Sequence, residues 1–238
     1  MKLLAFETAT EACSVALWLD GEVRERFAVA PRRHAELALP WADALLAEAG
    51  IARSQLDALA VGRGPGAFTG VRLGISIVQG IALALDRPVA AVSTLAVLAA
   101  GAPARWRGCT HVLASIDARM SEVYAGAFEV QDGRAVSRGP ESVGPAGDVA
   151  LPVAGDAPVW HGIGTGFAAG GGALAGHLGD RLAGIDAQAR PRASDLARLA
   201  AAAAANGELL APERVEPAYL RNQVALTLAE QQALRDRR

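Results

Sequence analysis

The chain has 238 residues and one lysine, Lys2; arginine supplies the rest of its 23 basic residues. That scarcity excludes a Walker-type phosphate loop, which places a lysine after its last glycine. It also removes the usual nucleophile for Schiff-base chemistry. The two cysteines, Cys13 and Cys109, are far apart and in no metal-ligand spacing, so no disulfide framework is expected. Among the four histidines, His34, His111, His161 and His177, none are three or four residues apart, which removes a helical imidazole metal pair. Ser115, Ser121 and Ser142 have no nucleophile-elbow context. Aromatic residues are only 5% of the chain. No sign of charge dominates: the net charge is −2 and the isoelectric point about 6.1, which disfavours tight nucleic-acid binding by this chain alone. The start carries no secretory leader pattern, and no long apolar run is free of charge, proline and glycine, so a soluble, cytoplasmic protein without a membrane partner is expected.

What is present is a chain that is 52% hydrophobic, enough for a substantial core. Lys2 to Glu7, Cys13 to Leu19 and Val23 to Val29 read as three antiparallel strands, with Asp20-Gly21 as a hairpin turn. His34 to Glu48 reads as a helix with two apolar stripes, one through Leu37, Trp41 and Leu45 and one through Leu39, Ala42 and Leu46. Pro40 is expected to kink this helix or mark its start, and His34 to be a surface or cap residue. Leu56 to Val61 is a buried strand, Val71 to Leu85 a helix, Val89 to Val92 a strand, and Leu95 to Ala100 a helix capped by Ser93. From Val112 the pattern of strand, turn and strand begins again, around Asp117 to Ser121 and with a further turn at Asp132-Gly133. Residues 138 to 158 read as loop, Val159 to Ile163 as a strand, Ser194 to Asn206 as an alanine-rich helix capped by Ser194, and the end of the chain as a charged helical segment. This order implies an α/β fold with mixed sheets flanked by helices.

Residues 62 to 75 hold the strongest signal. Gly62, Gly64, Gly66 and Gly70, with Pro65, lie between an apolar strand and an apolar helix. Glycine permits positive φ and close approach of another group, and a glycine loop before a helix offers N–H groups to an anion. The loop is therefore either a phosphate cradle or a packing device. Gly70, Gly74 and Gly80 favour packing, since each glycine inside a helix costs roughly 1 kcal/mol against alanine. The turn Glu7-Thr8-Ala9-Thr10 is either a solvated hairpin or a holder for a magnesium-bound phosphate. Gly162, Gly164 and Gly166 read as a plain turn. Asp117, with Arg119 and Glu122, reads as an ion-paired turn or as a phosphate-facing group in a second lobe.

Phe6 to Leu17, Gly62 to Gly74, Val92 to Leu95, Ile116 to Tyr124 and Glu216 to Asn222 together resemble the bacterial TsaB (YeaZ) family, over nearly the whole chain. The resemblance implies an actin-like ATPase fold of two ribonuclease-H-like lobes, here residues 1–104 and a smaller 105–238, the C-terminal segment packing back on the first. It implies a non-catalytic but required subunit in forming threonylcarbamoyladenosine at position 37 of tRNAs that read codons starting with A. The implied partners are a catalytic TsaD-like paralogue, a TsaE-like ATPase through the ternary complex, a second copy of the chain when alone, and tRNA indirectly. An autonomous actin-fold ATPase or kinase is the alternative. No resident cofactor is implied beyond possible ATP or ADP at the partner interface; Glu7, Thr8, Gly64, Gly66 and Asp117 correspond to vestigial nucleotide loops. Thr94 and Leu98 stand where the catalytic paralogue has its histidine pair, and Glu7 where the family commonly has Asp. The helices over 34–49 and 71–85 correspond to the partner interface, with Leu39, Trp41, Leu46, Gly70, Gly74, Val78 and Ile81 as candidates. Gly74→Arg is then expected to abolish partner capture and spare the isolated fold.

Overall fold

The structure is a computed structural model, described over residues 1–131, 134–152 and 159–221. The expected turn at Asp132-Gly133 and the charged segment at the end of the chain lie outside the described residues. The strands are β1 (Lys2–Glu7), β2 (Ala12–Leu19), β3 (Glu22–Val29), β4 (Ala58–Gly62), β5 (Val89–Val92), β6 (His111–Arg119), β7 (Glu122–Gln131), β8 (Arg134–Ser137), β9 (Ser142–Pro145), β10 (Trp160–Ile163) and β11 (Leu182–Asp186). The α-helices are α1 (His34–Ala49), α2 (Phe68–Leu85), α3 (Thr94–Ala100), α4 (Ala102–Arg105), α5 (Ala173–Leu178) and α6 (Ala193–Ala205).

Two sheets share one plan. The first has the order β3-β2-β1-β4-β5, and the second β11-β10-β6-β7-β8, with β9 also on the β7 edge. In each, an antiparallel meander is followed by two strands parallel to its first strand: β4 and β5 beside β1, β10 and β11 beside β6. The repetition visible in the sequence from Val112 is thus a repetition of topology.

Strand alternation sends side chains to opposite faces, and the two faces of the first sheet differ in size. Leu4, Phe6, Leu17, Leu59 and Val61 pack outward against α1 and α2. Ala5, Ala16, Ala58, Ala60 and Ala90 point the other way, into a core shared with α3, α6 and the second sheet. Small residues on both surfaces let α6, through Ala193, Ala197 and Ala200, lie close to the strands. The alanine abundance therefore has a steric use. The far face of the second sheet packs Leu113, Val123 and Trp160 against Phe167 and Leu174 and Leu178 of α5.

Several local expectations are corrected. Pro40 lies inside α1, which begins at His34, so it does not mark the start of the helix. His34 is buried, and its Nε2 lies 2.9 Å from the Thr10 carbonyl and 3.1 Å from that of Ala12. Both partners are acceptors, so Nε2 carries the proton and ties α1 to the β1–β2 turn. Ser194 does not cap α6 with its side chain. Instead its own N–H donates to Glu25 (3.1 Å) and that of Ala193 to Ser14 Oγ (2.9 Å), so β2 and β3 cap the helix from outside. β8, β9, α5 and β11 occupy stretches that sequence periodicity left unassigned or read as loop.

Helix α2 is by length and composition apolar enough to cross a membrane. One face of it, through Val71, Ile75, Val78 and Ala82, packs on the first sheet.

The close contact between α6 and the sheet predicts that Ala60→Leu overpacks the shared core. It is expected to destabilise by about 1–3 kcal/mol, measured as a lower midpoint in thermal or urea unfolding; an unchanged midpoint would contradict that packing.

Candidate functional site

The β1–β2 turn lies directly against the glycine loop and the first turns of α2. A Cβ at Gly62 would overlap the Glu7 carboxylate, one at Gly66 the Ala9 carbonyl, and one at Gly70 the Thr8 carbonyl. One at Gly74 would stand 2.6 Å from Thr8 Oγ1. These four glycines, four residues apart, are thus required by contacts within the chain. Only Gly64 in this loop also has a left-handed φ, +91°.

Hydrogen bonds fix the same contact. Thr8 Oγ1 donates to the Gly70 carbonyl at 2.8 Å, and the Ala67 N–H to the Ala9 carbonyl at 2.7 Å. The Gly64 N–H donates to Thr94 Oγ1 (3.1 Å), the Thr94 N–H to the Gly64 carbonyl (2.8 Å), and the Arg63 N–H to the Val92 carbonyl (2.9 Å). Thr94 Oγ1 in turn donates to Glu7 Oε2 at 3.3 Å, and the Ala9 N–H donates to Glu7 Oε1 at 2.9 Å. Much of the loop's polar backbone is therefore satisfied internally, which answers the choice between cradle and packing in favour of packing.

Glu7, Thr8 and Thr94 are fully buried. Burial raises the Glu7 carboxyl from 4.5 to about 7, against the lowering effect of its bonds from Ala9, Thr94 and Thr8. Burial, with the nearby Glu7 charge, lifts the Cys13 thiol to about 11, so Cys13 is a buried, unreactive thiol.

An open cleft of about 1020 Å³ separates the lobes. Gly66 and Asp117 line it; Glu7, Thr8 and Gly64 do not, and are buried. Asp117 accepts from the Arg119 N–H (2.8 Å) and pairs with its guanidinium (3.0 Å), while its own N–H donates to Thr165 Oγ1 (3.1 Å). The turn after β10 repeats the first-lobe arrangement: Gly164 and Gly166 lie against Ser115 of β6, where a Cβ would overlap its backbone or hydroxyl.

The candidate interface residues divide. Leu39 is 46% exposed, and Trp41 and Ile81 are partly exposed. Leu46, Val78, Gly70 and Gly74 are buried within the lobe, so they offer no surface to a partner. The glycines face the chain's own turn, and Gly74→Arg is now expected to break the isolated fold. The outward stripe of α2 runs instead through Leu73, Ser76, Gly80 and Leu83, with Leu83 61% exposed and open space around Gly80. Exposed positions at helical spacing were the signal for it, but the apolar residues all round α2 concealed which face was outward.

The raised Glu7 carboxyl has a sign. The folded state holds its proton more tightly, so the stability that the protonated group contributes is complete below pH 4.5 and is lost as pH rises through about 7. Glu7→Gln is expected to be more stable than the parent at pH 8.5, on the order of 3 kcal/mol for a shift of this size. The difference should shrink towards zero near pH 4.5 in urea unfolding. A pH-independent difference would contradict the buried, raised carboxyl.

A family model described as TsaD, tRNA N6-adenosine threonylcarbamoyltransferase, matches residues 28–159. The tRNA threonylcarbamoyladenosine biosynthesis protein TsaB of Escherichia coli (strain K12) is 41% identical over 239 residues, covering 94% of this chain and 96% of that protein. Its counterpart of the same description in Haemophilus influenzae is 48% identical over 124 residues, 52% of each chain. The solved structure of YeaZ from Pseudomonas aeruginosa matches with a TM-score of 0.85 at 48% identity, covering 92% of this chain and 99% of that one. With two sheets of repeated topology and a glycine loop packed on the β1–β2 turn, the chain belongs to the TsaB (YeaZ) family of tRNA threonylcarbamoyladenosine biosynthesis proteins, on the actin-like fold of the TsaD family.

Proposed function

We propose that the chain is a non-catalytic, required subunit of the assembly that transfers the threonylcarbamoyl group to adenosine 37 of tRNA, and that it acts by binding and activating a TsaD-like catalytic paralogue. The observation that carries this reading is the internal commitment of the residues that a catalytic relative would turn to chemistry. Thr94 holds Glu7 and the glycine loop together, and Leu98 is buried in the shared core. Neither position presents an imidazole, and Glu7 is buried and does not line the cleft.

The docking surface in this reading is the outward side of α1 and α2. Leu39 and Trp41 on α1, and Leu73, Gly80, Ile81 and Leu83 on α2, place partly or well exposed apolar groups there. Gly80 leaves a side-chain-free spot on which a partner helix can approach closely. The same surface serves a second copy of the chain when the paralogue is absent. A TsaE-like ATPase joins through the paralogue, tRNA is met indirectly, and the assembly works in the cytoplasm.

Gly80→Arg and Leu83→Arg are expected to keep the parent's melting temperature and to cut co-purification with the TsaD-like partner by about tenfold or more. Gly74→Arg is expected to lower the melting temperature of the isolated chain. Full co-purification of both surface variants would overturn the assigned face. Sustained ATP turnover by the purified chain alone, lost in Glu7→Gln, would overturn the non-catalytic reading.

A further inference from the structure

The first sheet ends at β5, and the chain covers only part of that edge. The Leu59 N–H donates to the Pro88 carbonyl and the Arg63 N–H to that of Val92, so Pro88, Ala90 and Val92 turn their backbone groups to β4. Val89 and Ala91 turn theirs outward by alternation. At Val89 both outward groups are used: the Val89 and Leu210 backbones exchange two hydrogen bonds of 2.8 Å. Continued along the strand, this antiparallel ladder would set Glu208 against Ala91. Instead the Glu208 N–H donates to the Ala203 carbonyl of α6 at 2.9 Å, which turns the chain away from the edge. The Ala91 N–H and carbonyl are thus left facing outward with no backbone partner among the described residues.

A pocket of about 400 Å³ opens in this fork. Residues 90–93 form one wall, and Ala203 and Glu208 stand on another. The third wall is residues 134–136 of β8, the edge strand of the second sheet. The Arg138 N–H donates to the Ala127 carbonyl, so by the same alternation Ala135 turns its backbone pair away from β7. Both sheets therefore bring an open edge residue to one pocket. An unpaired edge is a template for an added strand.

The charges at the pocket favour a carboxylate. Arg63 and Arg134 line it, and among the described residues neither guanidinium is paired with a carboxylate. The nearby acidic groups are engaged. Asn206 Nδ2 donates to Glu208 at 3.3 Å, and Glu141, which feels the charge of Arg63, accepts from the Ser93 hydroxyl. Arg63 also has a defined place along the edge. Its backbone is bonded to Val92, at the C-terminal end of β5. A chain lying parallel to β5 beside Ala91 therefore runs towards Arg63.

We propose that the fork docks the carboxyl-terminal end of an extended peptide with small side chains, contributed by a partner protein. The peptide backbone adds to β5 at Ala91, as the chain's own Leu210 does at Val89, and the terminal carboxylate rests on Arg63 with Arg134 beside it. The volume suits the last few residues of a chain rather than a long segment. This pocket shares no lining residue with the cleft between the lobes, and none of its lining lies on α1 or α2.

The test is calorimetric titration of the full chain with N-acetyl-trialanine, the same peptide as its carboxyl-terminal amide, and sodium acetate. The free acid is expected to bind, with the amide and acetate each weaker by about tenfold or more. Arg63→Gln leaves the backbone bonds of that residue in place and is expected to lose affinity for the free acid by a similar factor. Ala91→Pro removes an outward N–H at an edge position, where proline is tolerated, and is expected to weaken the free acid about fivefold at a melting temperature near the parent's. Absence of binding at millimolar concentration, equal binding of the amide or of acetate, or parental affinity in Arg63→Gln would overturn the proposal. Parental affinity in a folded Ala91→Pro chain would equally overturn it, and Arg63→Gln decides alone if the proline variant does not fold.

Discussion

The structure depends on the contact between the β1–β2 turn and the glycine loop. Four glycines at 62, 66, 70 and 74 meet Glu7, Ala9 and Thr8 at distances that leave no room for a side-chain carbon. That contact sets where α2 begins, and through Thr94 it sets where α3 begins. His34 fastens α1 to the same turn by its two carbonyl contacts. Three helices are thus placed by one short turn, and a change of one methyl group at any of the four glycines would be felt by all of them.

The same contact turns inward several N–H groups that a loop of this appearance would otherwise offer to a phosphate. A phosphate loop presents its N–H groups outward; here those of Arg63, Gly64 and Ala67 are turned to Val92, Thr94 and Ala9. Glu7 is held as a buried carboxyl that is half protonated near neutral pH, rather than as a charged ligand for a metal-bound phosphate. The second lobe repeats the device in lighter form, with Gly164 and Gly166 against Ser115. Both lobes of the fold therefore solve the same steric problem, bringing the loop after a parallel strand down onto the end of the meander's first strand.

Much of this fold was legible in the sequence. Alternating strands, the Asp20-Gly21 turn and the Ser93 cap all lie where local chemistry puts them, because each is decided within a few residues. The missed elements, β8, β9, α5 and β11, are short and rest on contacts made far along the chain. Ser194 misled for a related reason: a cap residue in the right place was made redundant by Ser14 and Glu25 from strands more than 160 residues earlier. For the site, the importance of the glycines was legible but their direction was not. Four-residue spacing marks a smooth helix face, and only the fold tells whether the chain's own turn or another molecule fills it. Gly80, on the same helix, is the one that remains open.

The central claim is that this chain contributes to tRNA modification by its shape and contacts, with its buried carboxyl serving the fold. It is tested most directly by nucleoside mass spectrometry of tRNA after reconstitution with the catalytic paralogue and its other partners, using the parent chain, Glu7→Gln, or no chain. The account predicts threonylcarbamoyladenosine with Glu7→Gln at the level given by the parent, and loss of the modified nucleoside without the chain. Loss of the product with a correctly folded Glu7→Gln chain, to the level seen without any, would contradict it.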